Sequence, residues 1–271
     1  MLARVTAVVY PWGMRYGFVI PAGTAPEQVE LAVAAEAAGW DGVFVWESPS
    51  GVDAWSLLAA MAMRTEHVRL GTMLTPLPWR RPWKVASQVA TVDHLSGGRA
   101  ILAVGIGAAD HPIGLTGEEE DLRVRAARLD EALELITGLW AGRPTFQGEH
   151  YEMDLSGRAD LDTTCVPLQR PRVPIWVVGV WNRPKSMNRV VRYDGLVPQG
   201  GDGPADHAAM RTWLTEQGVG DDFDLIAEGE STGPADVEPW KEAGATWWLE
   251  AAWAAGDQEA IRARIDAGPP R

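Results

Sequence analysis

Short apolar, β-branched runs alternate with longer helical patterns along the 271 residues, and this alternation confines the chain to βα units around a parallel sheet. Eight runs read as strands: 17–20, 42–46, 68–74, 100–106, 174–179, 194–197, 223–227 and 246–249. Most are continuously apolar, as strands covered on both faces are. An open doubly wound sheet would place a glycine fingerprint after the first strand, but Ile20 is followed by PAGTAPE. Eight units in this length instead predict a single (β/α)8 TIM barrel, one domain over residues 1–271, with residues 1–13 as an N-terminal extension ahead of Met14.

The helices between these strands have legible ends. Gly39 closes the first, Asp53 caps a second that runs to about Arg64, and Pro82 starts a third. In the fourth, Leu122, Ala126, Leu129, Leu133, Ile136 and Trp140 form one apolar stripe, with Arg125 on its edge and able to reach inward. Residues 141–173 form a long excursion whose Pro and Gly content reads as ordered loop.

Charge and composition exclude several function classes. A net charge of −13 opposes binding to nucleic acid and to anionic lipid. The imbalance lies beyond residue 192, where 5 basic side chains face 16 acidic ones, against 19 and 21 before it, so a bound anion is expected in the first part. No apolar stretch reaches the roughly 18 residues of a membrane span. The short apolar run at the start ends in no cleavage signal, and Cys165 is the single cysteine, which together predict a cytoplasmic protein without disulfides. No His, Asp and Glu spacing suits a metal. Tryptophan, at 14 residues, outnumbers Tyr and Phe together and offers rigid apolar walls for a ligand.

Four ordered stretches carry a family resemblance: AEAAGWDGVFVWES; RTEHVRLGTMLTPLPWRRPWKVASQVATVDHLSGGRAILAVGIG; RAARLDEALELITGLWAG, followed by GEHYEMD; and VPIWVVGVWNRPKSMNRVVRYDGLVP. From about residue 14 to 200 the chain resembles the bacterial luciferase-like monooxygenases, and GATWWLE continues the pattern. The resemblance implies a TIM-type barrel, a small organic substrate and a flavin-type cofactor, either reduced FMN or the deazaflavin F420. Relatives are often homodimers. It also implies a non-prolyl cis peptide near Thr72 and Met73 that props the central ring of the cofactor. A cofactor phosphate is implied near the fourth and fifth strands and the fourth helix.

In such a barrel the site lies at the strands' C-terminal ends. The second strand ends in Glu47 and Ser48, where the family has an acid followed by His. Glu47 is a candidate proton carrier if apolar walls raise its pKa; otherwise it is a carboxylate bonded to neighbouring N–H groups or to an Arg. Gly105, Ile106 and Gly107 end the fourth strand and let a ligand approach the backbone. His111, which follows them, is a second catalytic candidate, since an unperturbed imidazole titrates at about 6.5 and so suits proton transfer. Gly179, Val180 and Trp181 end the fifth strand, and Pro184 opens a helix whose free N–H groups would favour an anion, with Arg183 and Arg125 as countercharges. Arg80, Arg81 and Lys84 read as a solvated helix start.

The function expected is that of a flavin-type oxidoreductase. With FMN, reduced flavin and dioxygen would oxygenate the substrate, and a separate flavin reductase would be required. With F420, hydride transfer takes the place of oxygen activation. The alternative, motivated by Ser48, is a barrel that binds flavin without turning it over, and a scaffold without cofactor ranks last.

Overall fold

The computed structural model describes residues 13–48, 50–107, 117–119, 121–157, 166–201, 203–253 and 257–271. A closed parallel barrel forms from β1 (Arg15–Ile20), β2 (Gly42–Val45), β3 (Arg69–Thr72) with β4 (Thr75–Pro76), β5 (Ala100–Gly105), β8 (Ile175–Val180), β9 (Gly195–Gln199), β10 (Asp224–Gly229) and β11 (Trp247–Glu250). Closure comes from β1 pairing with β11, while β3 pairs with both β2 and β5. Around it lie α1 (Ala25–Ala37), α2 (Ala54–Ala62), α3 (Pro82–Leu95), α4 (Leu122–Trp140), α5 (Pro184–Val190), α6 (Pro204–Glu216), α7 (Pro234–Glu242) and α8 (Gln258–Asp266).

Local chemistry sets the helix boundaries. Asp53 accepts a hydrogen bond from the Ser56 N–H at 2.8 Å and starts α2, and Pro82 opens α3. Gly39, just past α1, takes φ +86°, a turn that L side chains resist. The excursion is more than a loop. It contains an antiparallel hairpin of β6 (Thr145–Gln147) and β7 (Glu152–Asp154), pinned to α4 because the Glu131 carboxylate accepts the N–H groups of Glu149, His150 and Tyr151.

The third predicted strand is broken. β4 pairs with the top of β5 after a non-prolyl cis peptide between Met73 and Leu74, one bond beyond the Thr72–Met73 pair. The later strands also run further than their apolar stretches, ending at Val180, Gln199, Gly229 and Glu250.

Alternation divides the buried residues into an outer core under the helices and an inner core within the barrel. The inner core is plugged by Phe44, Trp176 and Trp247, whose ring centroids lie 5.3 to 5.8 Å apart. Such bulk is accommodated by small neighbours: a Cβ added at Gly195 would lie 2.4 Å from Trp176 Cδ1. Below the plug, Asp224 bonds Arg15, the Trp176 indole N–H at 3.0 Å and the Thr246 hydroxyl at 3.1 Å, which seals the N-terminal end of the barrel.

Candidate active site

The strands' C-terminal ends form a rim above the aromatic plug. On the inner face beneath it stand Met73, Leu74, Ala103, Val178, Val197 and Ala251, an apolar lining. At the top of β5, Gly105 presents no side chain, and a Cβ there would stand 3.1 Å from Leu74 and 3.2 Å from Val178. Gly105 therefore makes room for Leu74 and Val178, which close over it and give this wall its apolar surface.

Among the described residues, two polar side chains, Gln199 and Glu228, follow inner-face residues to the rim. Ile226 and Trp247 are register partners and both belong to the inner core, so Glu228, two residues on and paired with Leu249, shares that face. By the same alternation Val180 and its partner Gln199 follow the inner residues Val178 and Val197. The Trp253 indole N–H donates to Glu228 at 3.3 Å. Glu228 is exposed at the mouth, and partial desolvation by the protein around it pushes its carboxyl above the ordinary range. Trp46 alternates with the inward-facing Phe44, donates to the Pro21 carbonyl at 2.7 Å and stays 42% exposed, an uncovered aromatic surface beside the opening.

Glu47 is held behind the wall. Its carboxylate accepts from Arg80 Nη1 at 2.5 Å and from the Thr75 hydroxyl at 2.8 Å, and its side chain is 6% exposed. Burial pushes its carboxyl up, opposed by the Arg80 charge and the Thr75 bond. Thr75 in turn accepts from the Trp55 indole at 3.2 Å and lies 3.0 Å from the Thr72 hydroxyl. Glu47 and Thr72 thus belong to one network that ties the end of β2 to the broken third strand. Arg80 departs from the solvated helix start expected of it, because the buried carboxylate offers it a partner that water would otherwise have to replace.

The cofactor candidates separate into groups. Arg125, 1% exposed in α4, donates to the carbonyls of Ile106 at 2.7 Å and Gly107 at 2.6 Å, so it anchors the end of β5 through its backbone. Gly107 takes φ +81° there. Gly179 faces α5, since a Cβ on it would meet Leu196, Val190 and Met187. Trp181 packs edge-on against Trp213 of α6 at 6.4 Å. Arg183 is exposed, and the anion site expected beside it has few donors to offer: the N–H of Val180 bonds Ser186 Oγ, that of Trp181 bonds the Gln199 carbonyl, and that of Arg183 bonds the Val180 carbonyl. His111 lies outside the described residues.

The residues missed by sequence reasoning are Arg80, Gln199, Glu228 and Trp253. Period-two alternation continued through Asp224, Ile226 and Glu228 would have found Glu228, but its charge reads as the start of a loop.

A family model described as luciferase-like monooxygenase matches residues 14–224. An F420-dependent glucose-6-phosphate dehydrogenase of Nakamurella multipartita is 39% identical over 154 residues, covering 52% of this chain and 45% of that protein. A putative coenzyme F420-dependent oxidoreductase of Mycobacterium tuberculosis is 37% identical over 150 residues, covering 54% and 42%. The chain therefore spans less than half the length of these curated relatives. Among solved structures, an F420-dependent secondary alcohol dehydrogenase in complex with an F420-acetone adduct superposes with a TM-score of 0.76 at 20% identity, over 94% of this chain and 96% of that one. The oxygenating constituent of 3,6-diketocamphane monooxygenase from Pseudomonas putida, in complex with FMN, gives 0.64 at 19% identity, over 83% and 71%. At such identities the likeness concerns the fold.

Proposed function

This chain belongs to the luciferase-like monooxygenase family, and we propose that it is an F420-dependent oxidoreductase acting on a small hydroxyl-bearing or carbonyl-bearing molecule. The observation that carries the reading is the apolar inner lining at the barrel mouth, formed by Met73, Leu74, Val178 and Val197 over an aromatic plug, with Glu228 and Gln199 at its edge. The printed names of the relatives at 37–39% identity supply the cofactor class. F420, when bound, supplies a two-electron hydride acceptor or donor.

This chain's own residues would hold and orient that group. Met73, Leu74 and Val178 would lie against the ring, and Gly105, by lacking a side chain, gives Leu74 and Val178 the room to form that surface. Arg125 fixes the carbonyls of Ile106 and Gly107, and so the path of the chain at that edge, as a positioning residue. Glu47 acts through Thr75 on the broken third strand in the same way. Arg183, exposed beside the end of β8, is the proposed countercharge for a cofactor phosphate, and His111 the proposed proton carrier. The apolar lining excludes water from the reacting face.

Reduced FMN is the second reading, favoured by the fold likeness to the FMN-bound monooxygenase. It would require dioxygen and a separate flavin reductase as partner. A homodimer and a cytoplasmic location belong to the same proposal; among the described residues no helix is long and apolar enough to cross a membrane.

The test is anaerobic incubation with oxidised F420 and a panel of small alcohols, following loss of the visible absorption of the deazaflavin. Bleaching that needs the alcohol and no dioxygen is expected. Product formation only with reduced FMN and dioxygen would overturn the reading, and F420 binding without turnover of any member would leave a binding barrel instead.

A further inference from the structure

We propose that Glu228, with Gln199 on the neighbouring strand, selects the substrate by charge, so that the mouth takes an uncharged or cationic hydroxyl- or amine-bearing molecule and refuses a phosphate ester. The inference rests on the oxidoreductase reading and adds the substrate class to it. Glu228 stands on the inner face of β10, in register with the inner-core Leu249, and bonds the partly exposed Trp253. On the neighbouring strand β9, which pairs with β10 at Asp224 with Gly195 and Leu225 with Leu196, Gln199 follows the inner-core Val197 and so shares the inner face. Together they present a carboxyl and an amide, acceptors suited to the O–H or N–H groups of a small polar molecule.

What the rim lacks points the same way. Among the described residues no cation lies within ion-pair distance of Glu228. Three arginines near the strand ends are committed elsewhere: Arg80 to Glu47, Arg125 to two carbonyls, and Arg264 to Glu250 on the outer side of β11. Arg183 and Lys185 are exposed at the start of α5, on the side of the rim where the cofactor phosphate is placed above. A dianionic substrate group would have to sit beside a carboxylate that holds no ion-paired countercharge, and like charges so juxtaposed repel.

Three hexoses that share a ring and differ in charge make the test: glucosamine, glucose and glucose 6-phosphate. Each is titrated into the F420-loaded wild type and the Glu228→Gln variant, with tryptophan fluorescence as the signal. In the wild type, glucose 6-phosphate should bind at least about tenfold more weakly than glucosamine. In Glu228→Gln the two should converge to within about threefold while F420 affinity stays the same. Tightest binding of glucose 6-phosphate by the wild type would overturn the proposal. So would a charge order unmoved by Glu228→Gln, or the absence of saturable binding by all three. A titration with F420 alone reads the underlying assignment separately: failure there removes the oxidoreductase reading itself, whereas F420 binding with an unchanged charge order removes only the role of Glu228.

Discussion

Glu47 and Arg80 form an ion pair at 2.5 Å behind the barrel wall, and through Thr75 that pair fixes the place where the third strand breaks. Glu47 is nearly enclosed and Arg80 about one quarter exposed, with side-chain exposures of 6% and 24%. Removing one partner strands the other charge. Arg80→Met should therefore destabilise the protein by about 3 kcal/mol, the low end for a buried pair because Arg80 retains some solvent. Chemical denaturation measures it, and a loss below about 0.5 kcal/mol, typical of a surface pair, would mean the bridge is screened by water.

Arg125 serves the backbone of the strand end. Arg125→Met leaves the carbonyls of Ile106 and Gly107 without their charged donor and should cost about 3 kcal/mol, from two bonds of the charge-assisted kind. F420 affinity should fall with it, because Gly105 and Gly107 lose their support. Unchanged thermal stability together with weakened F420 binding would instead identify Arg125 as a direct ligand of the cofactor.

Gly195 makes room for the aromatic plug. A methyl group there would reach 2.4 Å from Trp176 Cδ1, on a residue fully buried between two strands. Gly195→Ala should cost about 1–3 kcal/mol by overpacking. A neutral melting temperature would show that Trp176 has an alternative rotamer within the barrel.

Glu228 gives a pH signature with a defined sign. Its folded carboxyl is raised by desolvation above the ordinary value of 4.5, so the folded state holds its proton more tightly than the unfolded state. Stability from this group is therefore present in acid and is lost as pH rises from 4.5 through the folded pKa. Glu228→Gln should melt above the wild type at pH 7 to 8, with the gap closing as pH falls below the ordinary carboxylate range. A calorimetric pH series checks this, and a gap constant with pH, or of opposite sign, would contradict the desolvation described.

Much of the barrel was legible in sequence because its signals are local. The stripe from Leu122 to Trp140 gave α4, and Asp53 and Pro82 marked two helix starts that the structure retains. Strand ends were harder to read, because a polar residue at the rim looks like a loop whether it faces solvent or the mouth. Gln199, Glu228 and Glu250 all continue their strands, yet Glu250 turns outward to Arg264 while Glu228 faces inward. Only pairing register distinguishes them. The partner of Glu47 was equally hidden, since Arg80 lies 33 positions away and meets it through the turn of the broken third strand. Adjacency at the end of the fifth strand groups Gly179 and Trp181 with the site, while alternation sends them to the outer layer, against α5 and α6.

The most direct measurement is a side-by-side anaerobic titration of the purified protein with oxidised F420, reduced F420 and reduced FMN, followed by tryptophan fluorescence. Trp46 and Trp253, 42% and 46% exposed, are placed to report on the mouth. Saturable binding of F420, with reduced FMN giving no saturation over the same range, is the predicted result; saturation by reduced FMN with no response to F420 would contradict it.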